Sequence, residues 1–169
     1  IGLELHCHDV VDVDLNVYIK KIDVVNLQGD ERQVRLFFCH EFHLYGIAIG
    51  DTAYFDPRTR SIIHYKTNRY FLINFGEPEN WGVDYYAFGD KEVPGREGIW
   101  QDGEDGELSG NPVSWGSADS AVGIWLHLLP NGKTETFYWI IAGTHYDEVA
   151  QLNRDVIEKM PDELIKRSS

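Results

Sequence analysis

Through residue 143, apolar side chains return at every second position in short runs broken by Gly, Pro, Asn and Asp; beyond Thr144 they return at three and four. That change of period commits most of the chain to strands and reserves one helix for its end. In 3–7, Leu3, Leu5 and Cys7 alternate with Glu4 and His6. In 17–25, Val17, Ile19 and the stem of Lys21 share a side while Tyr18 and Ile22 fall out of step, which predicts a bulge. Residues 33–45 are apolar on both faces, predicting a strand in the middle of a stacked sheet with 17–25 as its neighbour. Residues 51–55 and 61–65 flank Asp56-Pro57-Arg58-Thr59-Arg60 and read as a hairpin, followed by a strand over 70–75. Residues 120–129 and 134–141 flank Asn131-Gly132, the strongest short hairpin signal in the chain.

Between Gly76 and Gly116 the period is lost, which predicts a long loop-rich excursion of the kind that carries function or covers a neighbour. After it the reading is a helix from about His145 to Lys159, opened by Thr144 and Asp147 as a capping box. Its stripe of Val149, Leu152, Val156 and Ile157 is extended by Met160, and the helix stops near Pro161 with a short turn through Leu164. The fold class is therefore mainly β: an antiparallel β-sandwich over 1–143, with a C-terminal α-helix over 144–169.

Size and charge narrow the function. A chain of 169 residues has room for one domain. A net charge of −13 repels a phosphate backbone, so nucleic acid is not an expected partner. The longest apolar stretch, 121–129, is interrupted by His127 and is too short to span a bilayer, so no membrane is expected either. The opening Ile1-Gly2-Leu3-Glu4-Leu5 has no basic stretch and no initiator Met, which predicts a processed chain or part of a longer one. Two cysteines, Cys7 and Cys39, allow at most one bridge, and a reducing cytoplasm is the expected setting.

Three constellations bear on chemistry. His6 and His8 project from one face of a strand, and with His40 or Glu41 opposite them they make a cupin-like metal site; His43, on the other face from His40, does not join it. The competing reading is solvent-facing or hydrogen-bonded histidines beside two buried thiols, with no cofactor. Asp102, Glu104, Asp105 and Glu107, interleaved with glycines, suit calcium or an acid–base pair on a sugar, or simply a solvated loop. Trp81, Tyr85, Trp100 and Trp115 lie in the loop-rich region with Tyr86 and Phe88, and offer flat faces for a sugar, for another domain or for their own core. Nucleophile elbows and phosphate-binding glycine loops are absent.

Several blocks, in order, carry a likeness: 16–21, Arg35-Leu36-Phe37-Phe38-Cys39-His40-Glu41-Phe42-His43, Ile49-Gly50-Asp51-Thr52-Ala53-Tyr54-Phe55-Asp56-Pro57, Ile63-His64-Tyr65-Lys66 and Leu108-Ser109-Gly110-Asn111-Pro112. They resemble the N-terminal β-sandwich domain of prokaryotic glucoamylase-like and trehalase-like glycoside hydrolases of family 15. The resemblance implies a super-sandwich, incomplete because the family's opening strands precede one like 3–7. It also implies a helix that connects to an (α/α) barrel, whose two glutamates act as acid and base in inverting hydrolysis of α-glucosidic bonds. No position here matches that barrel. The expectation is a non-catalytic accessory domain whose partner is the barrel and, indirectly, an α-glucan. The alternatives are a stand-alone α-glucan-binding module and a metal-dependent enzyme. An uncovered strand edge and an unpartnered helix stripe predict self-association, most simply as a dimer.

Overall fold

The computed structural model describes residues 1–47, 49–91 and 98–168. Part of the predicted loop-rich excursion, 92–97, lies outside them. The chain runs β1 (Leu3–Asp12), β2 (Val17–Asn26), β3 (Arg32–His40), β4 (Asp51–Asp56), β5 (Ser61–Lys66), β6 (Arg69–Glu77), β7 (Asn80–Trp81), β8 (Tyr85–Asp90), β9 (Val113–Gly116), β10 (Ala118–Leu128) and β11 (Lys133–Gly143), then α1 (Tyr146–Lys159) and α2 (Pro161–Ser168). Among the described residues two antiparallel sheets form. The larger has the order β1-β2-β11-β6-β5-β4-β9, with β7 also paired to β6, and the smaller has the order β3-β10-β8.

The large sheet is covered on both sides, which makes three layers. Along β11, Phe137, Trp139 and Ile141 meet Val149, Val156, Leu164 and Ile165 of the helices. The intervening Tyr138 and Ile140 face the small sheet, where Phe88, Ala118 and Val122 wait. A further cluster, Ile22 and Val24 against Val34, Leu126 and Leu128, closes the sandwich toward β3. The period of two in the sequence thus sorts side chains between two cores.

This layering corrects several sequence readings. No bulge is needed in β2: its register with β1 and β11 is continuous, and Ile22 is out of step only because it serves the second core. β2 does not pair with β3. Its neighbours are β1 and β11, and β3 is an edge strand on β10 that ends at His40. Asn131-Gly132 makes a tight turn, with the Gly132 N–H donating to Leu129 O at 2.9 Å, but no hairpin follows, because β10 and β11 belong to different sheets. The turn is an arch between layers, tied down by Asn26, whose side-chain amide donates to Leu129 O at 3.0 Å. The β4–β5 hairpin forms as predicted.

The helix cap is displaced by one residue from the prediction. His145 is the N-cap and accepts from the Glu148 N–H, while the Glu148 carboxylate reaches back to the Thr144 N–H at 2.7 Å and its hydroxyl at 2.9 Å. Glu148 therefore replaces Asp147 as the acidic member of the box. Val149 and Val156 are fully covered by the sheet, so the stripe is not left unpartnered. Beyond the first helix comes a second helix rather than a turn. Leu164 and Ile165 of α2 are buried, and Met160, which leaves the helical region at φ 62°, is partly exposed instead of extending the stripe.

Candidate functional site

The two sheets enclose a polar centre. His40 on β3, His64 on β5, Ser120 on β10 and Tyr138 on β11 converge between them, all buried. Ser120 Oγ lies 3.0 Å from His40 Nδ1 and 2.8 Å from His64 Nε2, and His40 Nε2 lies 2.8 Å from the Tyr138 hydroxyl. With both imidazoles neutral the chain is satisfied by either proton order, Tyr138 to His40 to Ser120 to His64 or the reverse. Burial pulls His40 down to about 4 and His64 well below its ordinary value, where His40 and Lys91 also disfavour a second charge. Beside the chain, Lys91 donates to Asp51 at 2.7 Å and to Phe42 O, with Lys66 3.4 Å from the same carboxylate. Asp119 nearby is pushed up to about 7, first by burial and then by Glu41 and Asp51, against the pull of Lys91. A buried Ser–His pair of this kind orders a core; it presents no nucleophile to solvent.

The proposed metal ligands are not brought together. His6 and His8 sit on the exposed face of edge strand β1, where His6 Nε2 is 3.0 Å from Glu4, whereas His40 lies inside the sandwich on the other sheet. Among the described residues no group of three or more His, Cys, Asp or Glu side chains is arranged to hold a metal ion. Cys7 and Cys39 are both exposed free thiols, not the buried pair expected.

Three of the four carboxylates singled out in the acidic loop are spent on local architecture. Asp102 accepts from the Ser109 N–H at 2.7 Å, Asp105 from the Glu107 N–H at 2.9 Å, and Glu107 from Arg35 at 2.9 Å and the Tyr85 hydroxyl at 2.7 Å. Those bonds draw the loop over the outer face of the small sheet, where Ile99 and Leu108 pack on Phe37, Ala87 and Ala121.

The four candidate aromatics separate. Trp81 turns into the core beneath the helices, edge-on to Trp139 at 5.7 Å. Tyr85 stands on the outer face of the small sheet, Trp100 is 44% exposed on a short 3-10 turn, and Trp115 is 74% exposed on β9. Sequence reading passed over Trp125. It stands beside Tyr85 with ring centroids 5.9 Å apart, and the Arg35 guanidinium lies 3.8 Å over its ring. Trp125 and Tyr85 line a cleft of about 150 Å³ with Glu77, Asn80 and Asp84. The available signal was its place in β10: an odd position on a strand whose even positions fill the core.

No family model matches the chain, and neither does any curated protein. Solved structures do. A bacterial glucoamylase complexed with acarbose aligns over 99% of this chain with a TM-score of 0.72 and 14% identity, and a putative kojibiose phosphorylase from the human microbiome aligns over 98% with a TM-score of 0.57 and 11% identity. This chain spans 24% of the first and 20% of the second. At such identities the likeness speaks to fold alone: the antiparallel sandwich expected from the sequence is found, and it matches about a quarter of the bacterial glucoamylase chain.

Proposed function

We propose that the chain is a non-catalytic N-terminal sandwich domain of a glucoamylase-like glycoside hydrolase, whose hydrolysis of α-glucosidic bonds is performed by an (α/α) barrel outside the described residues. The observation that carries this reading is the coverage: nearly all of this chain superposes on roughly a quarter of the glucoamylase. The chemistry is compatible with it, since Asp102, Asp105 and Glu107 are spent on loop architecture and His6 and His8 lie apart from the buried His40. In this reading the sandwich supports the barrel and shapes the rim of its sugar site. Exposed Leu5 and Val11 on edge strand β1 offer a surface for the barrel or, in the isolated chain, for a second copy.

The test is turnover. The isolated chain is expected to release no glucose from maltooligosaccharides or trehalose. Hydrolysis that disappears when a residue of this chain is substituted overturns the accessory reading.

A further inference from the structure

The small sheet has a gap. β8 begins at Tyr85, opposite Gly123, while β10 continues through Leu128 with β3 as its only strand neighbour among the described residues. Beside Ile124 and Trp125, where the next strand of a complete sheet belongs, there is instead a cleft of about 150 Å³ backed by Phe75, Gly76 and the β6–β7 turn of the large sheet.

The walls of this cleft are held before any ligand arrives. The Tyr85 hydroxyl donates to Glu107 and accepts from the Leu108 N–H at 2.5 Å, which fixes the ring. Arg35 lies over Trp125 and is itself bonded to Glu107 and Gly106 O. Gly123 lets Tyr85 lie against β10, because a Cβ there would stand 2.7 Å from Tyr85 Cδ1. The rim is polar. Glu77 and Asn80 face each other across the β6–β7 register, and Asp84 is held by two bonds of 2.6 Å from Arg60. Burial raises the Glu77 carboxyl above its usual range.

We infer that this cleft binds a hexose ring of a neutral oligosaccharide, with Trp125 and Tyr85 against the C–H surface of the sugar and Glu77, Asn80 and Asp84 on its hydroxyls. Fixed aromatic plates beside a mixed set of acceptors and an amide donor match a ring that is apolar on its faces and hydroxylated at its rim. Anions are disfavoured by the Glu77 carboxylate in the lining. Organic cations are disfavoured because the Arg35 guanidinium over Trp125 brings positive charge to the cleft wall and Arg60 neutralises Asp84. The hexose class comes from the cleft itself; that the hexose is α-linked glucose rests on the function proposed above.

The experiment titrates the chain with maltotriose, cellotriose and galactotriose, followed by tryptophan fluorescence and by calorimetry. Maltotriose is expected to bind in the millimolar range or tighter. Trp125→Ala and Asn80→Ala are each expected to weaken it about tenfold, while Trp100→Ala and Trp115→Ala leave it unchanged. Circular dichroism and melting of each variant separate loss of the site from loss of the fold, and Asn80, on the rim, provides a variant that spares the core. Absence of binding to all three sugars at tens of millimolar overturns the cleft and leaves the accessory-domain reading standing, since that reading is judged by turnover. Binding lost in Trp100→Ala or Trp115→Ala, yet kept in Trp125→Ala, overturns it equally. Binding of cellotriose or galactotriose in place of maltotriose upholds the cleft and removes the α-glucan assignment.

Discussion

Acid should dismantle this sandwich from its centre, and His40 allows the size of the effect to be worked out. In the unfolded chain its imidazole titrates near 6.5, whereas in the fold burial holds it at about 4. Between those values the unfolded chain binds a proton that the native state refuses, so stability rises with pH there. The contribution is whole above 6.5 and is lost as pH falls toward 4, which amounts to about 3 kcal/mol for His40 alone. His64, also pulled down by burial, adds a loss of the same sign. Asp119 opposes them: its carboxyl, raised from 3.8 to about 7, keeps a proton that the unfolded chain releases, so its contribution is whole at low pH and fades toward 7. Among the charged neighbours, Lys91 acts on His64, and Glu41, Lys91 and Asp51 act on Asp119. Two imidazoles against one carboxyl leave a net loss of stability on acidification. Urea denaturation across pH 4 to 6.5 measures it, and His40→Gln, which keeps hydrogen-bonding groups but does not titrate, isolates the His40 share. The wild-type chain should lose about 3 kcal/mol more than the variant over that interval. Parallel profiles for the two proteins would refute a neutral buried His40.

Three other outcomes test the architecture. Asn153 on α1 accepts from the Trp139 indole at 3.0 Å and the Asn74 amide at 3.1 Å, so Asn153→Ala orphans two buried donors and should cost about 2–4 kcal/mol in urea unfolding. Gly76 sits at φ 154° with Asn80 O only 2.4 Å from where a Cβ would stand; Gly76→Ala should lower stability by about 2 kcal/mol, read as a fall in melting temperature. Leu5 and Val11 are 51% and 61% exposed on β1, and the isolated chain should sediment and scatter as a twofold dimer at micromolar concentration; the mass of one chain, unchanged on concentrating, refutes this.

What the sequence disclosed and what it withheld follow one physical line. Period two reports that a residue alternates between faces, and it correctly located β1, β2, β4, β5, β6, β10 and β11, because each of these buries at least part of a face. It does not report which layer a face looks into. In a three-layer molecule a strand such as β2 is apolar on both sides, so its pattern blurs into an apparent bulge, and the Asn131-Gly132 turn joins strands that part company. Short edge strands suffer most. β9 is four residues long with mostly uncovered side chains, and β8 mixes Gly and aromatics, so neither carries a readable alternation and both vanished into a presumed loop.

The site was less legible for a related reason. Aromatic composition pointed to the loop-rich region, and Tyr85 is indeed one wall of the cleft, but the partner ring, Trp125, lies in a strand whose pattern already accounted for it as part of a sheet. A cleft at a vacancy in a sheet is defined by where a neighbouring strand stops, here by β8 starting at Tyr85 while β10 runs on. That is a property of pairing between residues nearly forty positions apart, and no local spacing encodes it. The histidines make the converse case. His6, His8 and His40 share a residue type and a strand-like spacing, yet the layer decides their chemistry: on β1 two of them meet water, and between the sheets the third becomes a neutral hydrogen-bonding strut to Ser120 and Tyr138. Burial in that layer also sets the direction of its titration, so a side chain read as one alternative ligand acts instead as an element through which acid reaches the core.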